Sequence, residues 1–305
     1  MRPKPSRTPP ADGPVFEVFD ARSATVEGTA VRRLLPHPRR RTVGAWCFFD
    51  HFGPKPIPAG TRGMDVAPHP HCGLATVTWL FAGEALHRDS LGSVQRIRPG
   101  QLNWMTAGRG ISHAEEGVIA EVDGEMHGVQ LWVAQPDTTR NGDPRFEHHE
   151  ALPELHREGL DVTVLVGALG SARSPARSDT ALFAYDVRVG GRLTPGGLTP
   201  SVLPLDPAFE AAIAVVEGAV EVEGRGLSPG ALAYLGTGRD ALSLAGSGRV
   251  LVLGGEPLDE ALLMGWNFVV RDAAELDAAF ASWEADDGRF GTVDGARGER
   301  IIPKR

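Results

Sequence analysis

The sequence predicts an all-β chain folded as two successive barrels, and three observations carry the prediction. Short apolar runs with β-branched residues, such as Leu74 to Phe81 with Thr76, Val77 and Thr78, alternate with Gly and Pro turns. The 305 residues, with Gly at 38 and Pro at 24, give room for two turn-rich domains that each bury a core. The second half also repeats the first in outline. Ala212 to Gly218 corresponds to Val77 to Gly83, and Leu227 to Tyr234 corresponds to Ile97 to Trp104, with the same glycine and Pro-Gly turns.

Taken in order, residues 1–14 read as a disordered tail, with Arg2, Lys4, Arg7 and five prolines but no apolar or amphipathic targeting segment. A first strand is expected at Phe16 to Phe19, opening an N-terminal barrel over 15–135. The basic run Pro36 to Arg41 is read as a solvated turn, since the surrounding chain is acidic. Residues 136–158 form an expected linker, dense in turn formers from Pro136 to Pro144. His148, His149 and His156 lie there without a metal-ligand spacing, so they are read as polar linker residues. A second barrel over 159–258 follows, and 259–305 is read as a short helix and an extended arm. Asp272 and Glu275 have capping-box spacing, Leu276, Ala279, Phe280 and Trp283 recur on one face, and Gly288 is the expected stop.

Composition narrows the function. A formal charge of -8 argues against a protein whose main work is gripping nucleic acid phosphates, so no direct nucleic-acid binding is expected. Cys47 and Cys72 are too few for a disulfide framework, no apolar run approaches a membrane span, and no signal peptide is visible. A cytoplasmic location without membrane contact is the expectation.

The most specific chemistry lies between Met64 and Glu116. In extended chain, alternate side chains share a face, so His69 joins His71, and His113 joins Glu115, while Glu116 faces the other way. Three imidazoles and one carboxylate from separate strands form a ligand set for iron, nickel, copper, manganese or zinc. Registering the repeated turns sets Pro204 and Asp206 opposite His69 and His71, and Ser243 and Ala245 opposite His113 and Glu115. The second barrel therefore cannot rebuild the set, and one metal per chain is predicted. His37, His51 and His87 read as hydrogen-bonded core residues, and His127 as a candidate neighbour of the ligands.

The order Gly63, His-x-His, Pro-Gly and a further His is that of a cupin, the double-stranded β-helix or jelly-roll barrel. The resemblance then becomes closer than a fold. Phe48 to Pro54, Pro68 to Gly73, His87 to Gly92, Trp104 to Glu115 and Gly128 to Val133 resemble the pirin family, as do Trp266 to Val269 and Glu299 to Pro303. The resemblance implies a bicupin whose N-terminal barrel binds one metal, usually iron(II). It further implies a quercetin 2,3-dioxygenase-like oxidoreductase that opens a flavonol with dioxygen. An iron-dependent, redox-sensing pirin that contacts a regulatory protein without turnover is the alternative. An enzyme acting on another phenol or enol is a further one.

In the dioxygenase reading, a flavonol binds through its 3-hydroxyl beside its 4-keto oxygen, and Glu115 serves as catalytic base as well as ligand. Trp79, Trp104 and Met105 are the expected substrate-pocket residues. Two positions depart from the family pattern. Ala75 stands where an acidic residue is usual, which puts an outer role of that carboxylate in doubt, and Cys72 replaces a common arginine, which suggests a different charge at the pocket mouth.

Overall fold

In the computed structural model, which describes residues 4–6, 9, 11, 13–190, 192–194 and 197–303, strands of both halves build two cupin-type barrels. In the first barrel, a seven-stranded sheet runs in the order Arg145–His149, Leu102–Thr106, Leu74–Ala82, Gly124–Ala134, Trp46–Ile57, Thr29–Leu35 and Arg22–Val26. It is closed by a four-stranded sheet of Val66–His71, Ile111–Gly117, Ala85–Asp89 and Val94–Ile97. The second barrel is built on one nine-stranded sheet that contains the long strands Glu210–Val222 and Ala241–Gly255. Bulges at Val215/Glu217 let the long pair bend.

Period-two alternation sorts the side chains into cores. In Leu74–Ala82, Val77, Trp79 and Phe81 face away from the first barrel, while Thr78 and Leu80 face into it. In Glu210–Val222, Ala212, Ala214 and Val216 turn towards the first barrel, and Ala211, Ile213 and Val215 fill the second. The central core is therefore the seam between two sheets, where Trp46, Trp79, Trp104, Tyr234 and Leu251 are all buried. The interior of the second barrel is packed with Val, Leu and Ile side chains, Leu203, Leu242 and Leu244 among them.

The chain crosses between the halves. The expected first strand forms as Pro14–Asp20, but it pairs with Ala231–Gly236 of the second barrel, with Phe19 in the seam. Met1 to Pro3, Arg7, Thr8, Pro10 and Asp12 of the expected tail lie outside the described residues. Ser6 forms a bridge with Leu262. The expected linker carries two strands. Arg145–His149 adds to the first barrel's sheet, and Glu154–Arg157 adds to the second's. The basic run is more than a solvated turn, because Arg40 is buried over the Tyr234 ring at 3.7 Å.

The helix forms at Ala273–Ala285, with Asp272 accepting from the Glu275 amide at 2.9 Å. The reciprocal bond is shifted by one residue, since Glu275 accepts from the Arg271 amide. Asp286, in the left-handed conformation, caps the helix two residues before Gly288. Leu276, Ala279 and Trp283 pack with Phe268, Phe290 and Cys72. The arm beyond returns to the first barrel, where the Ile301 amide donates to the Pro68 carbonyl at 2.8 Å.

Candidate metal centre

The four-stranded sheet of the first barrel presents the three histidines. His113 pairs directly with His69 in antiparallel register, and His71 lies two residues along the same face. All three are buried, and one nitrogen from each lies within 4.8 Å of the others. His71 Nε2 and His113 Nε2 face each other at 3.0 Å. Each remaining nitrogen is engaged. His69 Nδ1–H donates to the Ala67 carbonyl at 2.9 Å, and His71 Nδ1–H donates to the Asn267 carbonyl at 3.1 Å. His113 Nδ1 lies 3.5 Å from Nδ1 of His87, whose Nε2–H donates to Asp89 Oδ2 at 2.9 Å.

These contacts fit a cation. Burial pushes the His69 pKa down to about 4 and lowers those of His71 and His113 well below the ordinary value, so all three rings are neutral near pH 7. Carbonyls hold the Nδ1 protons of His69 and His71, which leaves an Nε2 lone pair on each, that of His71 facing His113 Nε2. Two lone pairs 3.0 Å apart repel unless a proton or a metal ion lies between them. Nitrogens bound to one ion at about 2.1 Å and at right angles lie roughly 3 Å apart.

Glu115 borders the same cavity, but its carboxylate is not grouped with the three nitrogens. It accepts from Thr78 Oγ1 at 3.2 Å, and desolvation raises its pKa. A register shift separates His113 from Glu115 along the His-x-His strand. Glu116 turns outward, where its carboxylate lies 3.5 Å from Arg88 and accepts from the Arg297 amide.

The cavity has a volume of about 450 Å³ and is lined in part by Arg33, Phe48, Asp50, Gln130, Trp132 and Trp266. The expected pocket residues lie elsewhere. Trp79 and Trp104 sit on the seam side of their strands, where Trp79 Nε1–H donates to Asp186 at 2.8 Å, and Met105 packs with Ile111 and Phe146. Both family departures also avoid the cavity lining: Ala75 faces the seam, and Cys72 is buried beneath the C-terminal helix. His127 bonds His51 at 2.7 Å on the seam side, away from the cluster. His37 is partly exposed and stacks on Phe19. His148 and His149 are partly buried; His148 Nδ1 bonds Asn103 Oδ1, and His149 Nε2 lies 3.4 Å from Glu147 Oε2 without a hydrogen bond. The contribution of Trp266, Asn267 and Ile301 was not derivable from alternation within the first barrel.

Two cupin-type barrels, one with a buried tri-histidine cluster and one filled with aliphatic side chains, define the class of protein. The family models for "Pirin" and "Pirin C-terminal cupin domain" match residues 28–133 and 191–291, and the chain belongs to the pirin family. A Pseudomonas aeruginosa protein named "Putative quercetin 2,3-dioxygenase" is 45% identical over 284 residues, covering 92% of this chain and 87% of that protein. A pirin-like protein of Caulobacter vibrioides is 39% identical over 291 residues, covering 93% of this chain and 97% of that one. The crystal structure of a quercetin 2,3-dioxygenase from Acinetobacter baumannii superposes with a TM-score of 0.88 at 41% identity, covering 95% of each chain.

Proposed function

We propose that the chain is a metal-dependent dioxygenase, with iron(II) the leading metal, that opens a flavonol such as quercetin with dioxygen. The observation that carries the proposal is the buried cluster of three neutral imidazoles at one end of an aromatic-lined cavity. His69, His71 and His113 hold the ion, and Glu115 completes the donor set. A divalent iron in this place supplies Lewis acidity towards an enol oxygen and electron exchange with dioxygen.

The chain's own residues supply the rest. The Phe48–Trp132 pair, stacked at 4.0 Å, lines the cavity beside His71 and offers apolar ring edges for a planar ring system to pack against. Glu115 borders the cavity and accepts the proton of the substrate's 3-hydroxyl, while Thr78 Oγ1, 3.2 Å away, holds the carboxylate in place. Asn267 and Ala67 fix the imidazole orientations through their carbonyls.

The test is dioxygen uptake together with loss of the quercetin absorption band, for the iron(II)-reconstituted parent and its His113→Ala variant. Turnover in the parent that vanishes in the variant, with carbon monoxide as a product, is expected. An iron-loaded parent that leaves quercetin intact contradicts the proposal and favours a regulatory pirin that works through a protein partner.

A further inference from the structure

A polar row crosses the floor of the first barrel opposite the histidines. Arg33 pairs with Asp50, Asp50 with Gln130, Gln130 with Thr78, Thr78 with Asn103 and Asn103 with His148, one residue from each of six neighbouring strands. Directly opposed residues share a face, so this is one continuous rung. Its middle is tied to the metal end, since Thr78 Oγ1 lies 3.0 Å from Gln130 Oε1 and 3.2 Å from Glu115 Oε1. Its far end is Arg33. A second track joins the same two ends: the Arg33 guanidinium lies 4.6 Å over Phe48, Phe48 stacks on Trp132 at 4.0 Å, and Trp132 meets the His71 ring at 5.2 Å.

Arg33 is held ready for a ligand. Its Nε and Nη2 donate to the two carboxylate oxygens of Asp50 at 2.8 and 2.7 Å, a fork that fixes the guanidinium plane. Both members line the cavity, and the Arg33 side chain is the more accessible, 26% exposed against 4% for Asp50. Among the described residues Nη1 has no hydrogen-bond partner. The Asp50 carboxylate offsets the charge, which favours a neutral or partly ionised acceptor over a strong anion. From Thr78 to Arg33 the rung spans three strand spacings, roughly 14 Å, the scale of a multi-ring planar aromatic.

We infer that Arg33 determines specificity at the end of the substrate remote from the metal, where it binds a phenolic oxygen of an elongated polyphenol. The inference rests on the flavonol reading above and adds the substrate feature that the far end selects. The hydrogen bond runs from Arg33 Nη1–H to the phenolic oxygen, with the ring beside the edge of the Phe48–Trp132 pair.

The test compares quercetin with 3-hydroxyflavone, which keeps the 3-hydroxyl and 4-keto group but has no other phenolic oxygen. Binding is followed by quenching of tryptophan fluorescence in anaerobic, iron(II)-loaded protein, since Trp132 and Trp266 line the cavity. The parent is set beside Arg33→Leu and beside the double variant Arg33→Leu/Asp50→Leu, which leaves no unpaired buried carboxylate. Quercetin affinity is expected to fall about tenfold or more in both variants, with 3-hydroxyflavone within about twofold of the parent. Equal losses for the two ligands, or unchanged quercetin affinity, overturn the inference while leaving the flavonol reading in place. A parent that binds neither ligand overturns both.

Discussion

His87 shows what a single side chain can contribute from behind the tri-histidine cluster. Its ring stacks on Phe146 at 4.3 Å, its Nε2–H is anchored on Asp89, and its Nδ1 faces that of His113. His87→Phe keeps the stacking but removes the polar support, and metal affinity should fall roughly 10–100-fold, read by competition against a chelator; unchanged affinity would show that His113 needs no such support. The cluster imidazoles also set a pH dependence. Their folded pKa values lie below the ordinary 6.5, with His69 at about 4, so between these values the unfolded chain binds more protons than the folded one. Stability of the metal-free protein is therefore complete above about pH 6.5 and is lost as pH falls towards 4. His51, which burial, and then Arg32 and His127, push down to about 3, adds in the same direction. Thermal melts of metal-free protein should show a lower midpoint at pH 5 than at pH 7.5, and a flat profile would contradict the burial argument.

At the scale of elements, the C-terminal helix reaches the cavity through the arm that follows it. Trp283 Nε1–H donates to the Ile301 carbonyl at 2.9 Å, and Ile301 in turn lines the cavity. Asp272→Ala should cost about 1 kcal/mol through loss of the N-cap, a fall of about 2 °C in the melting midpoint. Trp283→Ala removes a fully buried side chain and should cost roughly 3–5 kcal/mol; a melt within 1 °C of the parent would mean that the helix is not part of the cooperative fold. The helix and its stripe were legible in the sequence because capping and a 3.6-residue period are local signals. The histidine pairs were legible for the same reason, since a period of two fixes which neighbours share a face. That period cannot say which face is the inside. Trp79 and Trp104 alternate as well as Phe48 and Trp132 do, and only the position of the second barrel decides that the first pair belongs to the seam.

The whole molecule is organised by that seam. Asp186 accepts from Trp79 of the first half and from Arg249 Nε at 2.8 Å, and all three side chains are buried. Asp186→Ala leaves the Arg249 charge without its carboxylate and should destabilise by about 3–5 kcal/mol; a loss under 1 kcal/mol in a denaturant titration would mean that the barrels hold together without it. Internal repetition made two barrels visible in the sequence. The crossing of Pro14–Asp20 into the second sheet and the return of Asn267 and Ile301 to the first barrel were not visible, because contacts across such separations leave no local pattern. The central claim is that one divalent metal is held by His69, His71 and His113. It is tested most directly by elemental analysis after iron(II) reconstitution and desalting, for the parent and the triple variant His69→Ala/His71→Ala/His113→Ala. One iron per parent chain and none above background in a folded triple variant is the predicted result; stoichiometric iron retained by the variant would contradict it.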